Sequence, residues 1–113
     1  MKDHDKLCAK ISHLCAIVSL LVFQNATDEA KNIASSGFRD TTRLAMTEAS
    51  LLNSMFFDNF ENLENEFLNL QKLFENLKKM SDDERIELFK ELSSKRKEMY
   101  DENGKNIFKI QRI

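Results

Sequence analysis

Two histidines and two cysteines near the amino end come closest to a chemical site. His4 and Cys8 stand four residues apart and Cys15 seven further on, so on a helix all three fall within about 40° of one another. His4 and Cys8 could share one zinc ion. Cys15 lies too far along the helix to join them, and zinc wants four ligands, so one chain leaves such a site incomplete. Ile11 occupies the same face, and a cysteine in an apolar stripe ordinarily packs as a small hydrophobe. No glycine-rich turn or strand end exposes either thiol for nucleophilic attack with His13.

The other candidates have simpler explanations. Asp82 with Asp83 suits the start of a helix, and Glu64 with Glu66 suits a solvated face. Glycine occurs only at 37 and 104, so no phosphate-cradling loop exists. Lys95-Arg96-Lys97, with Lys105, Lys109 and Arg112, could meet phosphate, but Glu98, Asp101 and Glu102 dilute the charge, and a solvated helix end accounts for it. The expectation is a protein with no catalytic residue, no metal and no cofactor.

The elements that would position these side chains are helices. The 113 residues contain two glycines and no proline, too few turn formers for a sandwich, barrel or doubly wound sheet. With 42% hydrophobic and 32% charged residues the chain is neither disordered nor a membrane bundle, and its length fits a single domain, 1–113. A net charge of -2 removes the electrostatic case for nucleic acid. Two cysteines two helical turns apart cannot pair within one helix, so both are expected free, and a reducing cytoplasm follows. Residues 14–23 are apolar except for Ser19, but ten residues rise only about 15 Å, half a bilayer core, so no transmembrane segment is expected. The mixed charges before this run and the poor cleavage site after it also argue against a removed signal peptide.

Periodicity predicts an all-α antiparallel bundle of three long helices, about 3–34, 41–79 and 82–102, or four if the first divides near Asn25–Asp28, with a docked carboxyl-terminal tail. In the first, Leu14, Val18 and Leu21 continue a stripe begun by Leu7 and Ile11. Ser35-Ser36-Gly37 reads as a helix stop, with Gly37 supplying a left-handed residue. In the second, Phe56 leads into Phe60, Leu63, Phe67, Leu70, Phe74 and Leu77, which alternate by three and four without a miss, as in a coiled-coil seam. Ser81-Asp82-Asp83-Glu84 is a capping box that starts the third helix, and Asn103-Gly104 ends it. The acidic stretch 58–77 and the basic end of the chain suit antiparallel pairing. These ten stripe residues, Leu14 to Leu77, are the expected core or interface.

The hairpin Leu73–Tyr100, with its Leu-Phe-Glu-Asn-Leu approach, Ser-Asp-Asp-Glu turn and Glu-Met-Tyr close, resembles the helical hairpin of the RNA-binding protein Rop. In that register the RNA-contacting face would fall on Met55, Asn62, Glu66, Leu70 and Leu77, which lack the family's Lys, Gln and Phe, so the resemblance does not carry RNA binding. The amphipathic pattern is also similar to phasins, which coat polyester granules. At about 25 cal/mol per Å², leaving this much apolar surface in water is costly. The sequence therefore reads as a non-enzymatic interaction module that self-associates or binds a partner helix through its Phe/Leu stripes. The alternatives are a phasin-like coat on a lipid or granule surface and a small nucleic-acid-binding regulator.

Overall fold

The computed structural model describes residues 2–108. It is all-α, as the composition predicts; among the described residues there is no strand, only an isolated antiparallel bridge between Tyr100 and Asn106. The helices are α1 (Lys2–Cys8), α2 (Leu14–Asn25), α3 (Asp28–Lys31), α4 (Ser36–Thr41), α5 (Ala49–Asp58), α6 (Phe60–Lys79) and α7 (Asp82–Met99). A π-helical turn, Ala9–His13, joins α1 to α2, and a 3-10 turn, Arg43–Met46, follows α4. The chain divides into two compact units, Met1–Lys72 and Leu73–Ile113, with the boundary inside α6.

The long helices are more interrupted than their periodicity suggests. The first ends at Asn25, and Thr27 caps the short α3 by accepting from the Ala30 amide at 3.1 Å. The stretch 41–79 is not one helix. After α4 the Thr42 hydroxyl donates to the Phe38 carbonyl at 2.7 Å and the Thr47 hydroxyl to the Leu44 carbonyl at 2.7 Å, two local bonds that favour turns over continued helix. Asn59 makes the next break. Its side-chain amide donates to the Asp5 carbonyl at 2.8 Å while its own carbonyl accepts from Asn62 at 2.7 Å, tying the α5–α6 junction to α1. Gly37 is not a helix stop either: it lies in the first turn of α4, and Gly104 alone among the described residues has a positive φ, 81°.

In the first unit α2 packs against the 3-10 turn and α5. The core is small: Ala16, Ile17, Leu52 and Leu63 are buried together, with Leu14, Leu44, Met55 and Phe67 packed around them. Ser19 is also buried, and its hydroxyl has no hydrogen-bond partner among the described residues. The apolar run 14–23 belongs to an unbroken helical stretch, Asp3–Asn25, with a mean hydropathy of 1.8 over an 18-residue window. It is long and apolar enough to cross a membrane, a weak signal that the core helix of a soluble protein also gives.

Lys10 and Glu66 form an ion pair at 2.9 Å that links the π turn to α6. The Lys10 ammonium, by donating to the carboxylate, holds Glu66 below the ordinary carboxylate range. A lowered folded pKa stabilises the fold above the unfolded value, and that contribution disappears as pH falls through the folded value. Glu66→Gln is therefore expected to cost less than about 1 kcal/mol near neutral pH, since Lys10 is half exposed, and nothing below the pH at which Glu66 protonates. Denaturant titrations of both proteins across acid pH check this; a constant difference would mean the ion pair is not its cause.

In the second unit the predicted capping box is present: the Glu84 amide donates to the Ser81 hydroxyl at 3.2 Å, and the Ser81 amide to the Glu84 carboxylate at 2.8 Å. Arg85 donates to the Leu77 carbonyl at 3.1 Å, satisfying the end of α6. Helix α7 stops at Met99, three residues short of the predicted end, because the chain turns back on itself. The Asp101 amide donates to the Lys105 carbonyl at 2.9 Å and the Ile107 amide to the Met99 carbonyl at 2.8 Å, with Gly104 in the turn. Ile107 and Phe108 remain about half exposed, while Lys109, Ile110, Arg112 and Ile113 of the predicted docked tail lie outside the described residues. No described residue of this unit is fully buried.

Candidate functional site

The most site-like feature is a concavity of about 470 Å³ between α2 and the α4 to 3-10 segment. Leu20 and Phe23 of α2 form one wall, and Phe38, Ala45 and Met46 the other. Phe23 and Phe38 meet with ring centroids 6.0 Å apart, and the Lys31 ammonium sits 4.4 Å above the Phe23 ring. Two exposed basic residues, Arg39 and Arg43, complete the lining with Thr42. The Thr42 hydroxyl bond to the Phe38 carbonyl lies where the α-helix gives way to the 3-10 turn, and Arg39 and Arg43, on either side of it, line one concavity.

Arg39 contacts its neighbour Asp40 at 3.2 Å in an exposed pair worth little. Arg43 lines the same concavity, and among the described residues no carboxylate lies within ion-pair distance of it. A guanidinium beside apolar and aromatic walls suits a small carboxylate with a hydrophobic body, because its planar fork can hold both carboxylate oxygens. Neither arginine stood out in the sequence. Their spacing of four was legible, but the facing wall comes from α2, more than fifteen residues away.

The histidines and cysteines weighed for chemistry and set aside lie elsewhere. The His4 Nε2 lies 3.4 Å from the Cys8 Sγ, while Cys15 is exposed, and both cysteines are free. Among the described residues no three His, Cys, Asp or Glu side chains come together as a metal cluster. His13 instead lies 3.4 Å from Asn59, beside the helix junction.

The ten stripe residues divide by environment. Leu63 is buried; Leu14, Val18, Phe67 and Leu77 are half-buried; and Leu21, Phe56, Phe60, Leu70 and Phe74 are exposed. Phe56 and Phe60 pair edge-on at 5.3 Å.

Residues 1–95 match the family described as prephenate dehydrogenase, dimerization domain. The chain is similar to a prephenate dehydrogenase from Lactococcus lactis subsp. cremoris, 30% identical over 104 residues, which are 83% of this chain and 29% of that protein. In structure it is similar to Synechocystis arogenate dehydrogenase, with a TM-score of 0.71 and 29% identity over 85% of this chain and 39% of that one. The chain thus spans less than a third of the curated relative and about two-fifths of the solved one. These findings overturn the reading of a stand-alone, non-enzymatic module, and with it the coat-protein and nucleic-acid alternatives, because the relatives are enzymes. The periodicity misled because it records only that helices have apolar faces, not what covers them. The expected homo-oligomer is supported, since the matched family is named for dimerization. The chain belongs to the prephenate dehydrogenase dimerization-domain family.

Proposed function

We propose that this chain is the dimer-forming part of a dehydrogenase acting on prephenate or arogenate, and that its arginine-lined concavity supplies one wall of the substrate pocket. The family match over residues 1–95 carries the first half of this reading. The exposed apolar side chains support it, among them Phe57 at 73%, Phe74 at 65% and Ile33 at 85% exposure, because a second copy would remove them from water. The second half rests on Arg39 and Arg43 beside Phe23 and Phe38, which suit an anionic substrate with a hydrophobic body.

Sedimentation of the purified chain tests the assembly. The expected result is a species of twice the 13.2 kDa chain mass at high micromolar concentration. A single species of the chain mass would overturn the dimer. The substrate role is tested separately through Arg43, below.

A further inference from the structure

Helix α7 carries a stripe that is complementary to itself. Phe89 is its midpoint, with Ile86 three residues before and Leu92 three after; Asp82 stands seven before and Arg96 seven after. At 3.6 residues per turn all five fall within about 120° of one another, one continuous face. Ile86, Phe89 and Leu92 are 48%, 50% and 52% exposed, and no residue of α7 is fully buried. Arg85 and Ser93 lie on the same face, so outward from Phe89 one direction gives Ile86, Arg85 and Asp82 and the other Leu92, Ser93 and Arg96, with opposite charges at the two ends. At 1.5 Å per residue each end charge lies about 10 Å from the midpoint.

We propose that α7 of two copies pairs antiparallel about a two-fold axis passing near Phe89. In that arrangement the two Phe89 rings meet, Ile86 of each copy lies level with Leu92 of the other, and each Asp82 lies level with the other copy's Arg96. An isologous interface requires one patch to complement itself; the antiparallel sense sets each Asp82 level with the other copy's Arg96 and each Arg85 level with its Ser93, so no like charges meet. Run parallel, the same stripe would place acid against acid and base against base. Arg96 now lies over the Tyr100 ring at 4.2 Å, and Asp82 pairs with Arg85 on its own helix, so both charges are held on the exposed stripe rather than drawn into a core. This inference rests on the dimer proposed above and specifies one of its contact surfaces.

The test uses the full chain carrying Asp82→Lys, Arg96→Glu or Phe89→Glu. Each charge variant alone puts like charges level at both ends of the pair, and dimer affinity is expected to fall about tenfold. Mixing the two charge variants in equal amounts brings opposite charges level again, and a heterodimer of near wild-type affinity is expected. Loss of helix dipole or of the Tyr100 contact cannot produce that recovery. Phe89→Glu sets two carboxylates on the axis and is expected to abolish the pair, with helicity by circular dichroism unchanged because the ring is half exposed. Variants that all dimerise like the wild type would overturn the α7 pairing while leaving the dimer standing. Weakened charge variants that fail to recover on mixing would overturn the antiparallel register. A wild-type chain that is itself monomeric would overturn the dimer on which the proposal rests.

Discussion

Leu63→Ala is expected to destabilise the first unit by about 3 kcal/mol, a drop in melting temperature of about 12–24 °C for a unit of this size. Leu63 retains only 1% of its surface in water and is, among the described residues, the largest fully buried apolar side chain. Its neighbours in the core are Ala16, Ile17 and Leu52, and Ala16 has no length with which to refill the space. Truncation therefore leaves a cavity, partly closed by the half-buried Leu14, Leu44, Met55 and Phe67 around it, which sets the cost toward the lower end for leucine. With so few buried side chains, one such loss is a large share of a stability that is ordinarily about 5–15 kcal/mol. Urea titration at fixed protein concentration reads the change, since assembly would add its own concentration dependence. A loss below about 1 kcal/mol would mean that the core collapses around the gap. Phe74→Ala is the contrast: its ring is 65% exposed, so its effect should appear in assembly rather than in the folding of one chain.

The sequence was most legible where the causes are local. The capping box at Ser81 and Glu84 needs only residues three apart, and both of its bonds are present. The stripe from Phe60 to Leu77 lies on one continuous helix for the same reason. The breaks at Thr42–Glu48 and at Asn59 were not legible, because threonine and asparagine are only mildly unfavourable in helices and tertiary partners decide their conformation. Asn59 breaks the helix where it can reach the Asp5 carbonyl, 54 residues away. Gly37 misled in the opposite direction: glycine permits a left-handed turn without requiring one. The surplus apolar surface signalled an oligomer, but the link to dehydrogenases left no local motif. The arginine concavity is similarly non-local, with charges from one segment and walls from another.

Arg43→Gln is expected to weaken binding of prephenate to this chain about 10- to 100-fold, the range for losing a charge-assisted hydrogen bond of about 1.5–3 kcal/mol. Arg39 is already engaged with Asp40 at 3.2 Å and is therefore the weaker of the two donors, which leaves Arg43 as the principal anchor. Glutamine keeps a neutral donor on a shorter side chain and loses both the charge and the paired geometry. Arg43→Lys keeps the charge and loses only the fork, so it should fall between Gln and the wild type. The apolar walls make the outcome specific: a carboxylate held by Arg43 must place its hydrophobic body against Phe23 and Phe38, whose ring resonances should shift on titration with prephenate. Acetate, which has the charge without the body, should move those rings far less. If prephenate shifts the rings equally in the wild type and in Arg43→Gln, the guanidinium is not the anchor. If it shifts neither ring in the wild type, the concavity of this chain does not by itself hold the substrate, and the dimer reading stands without it.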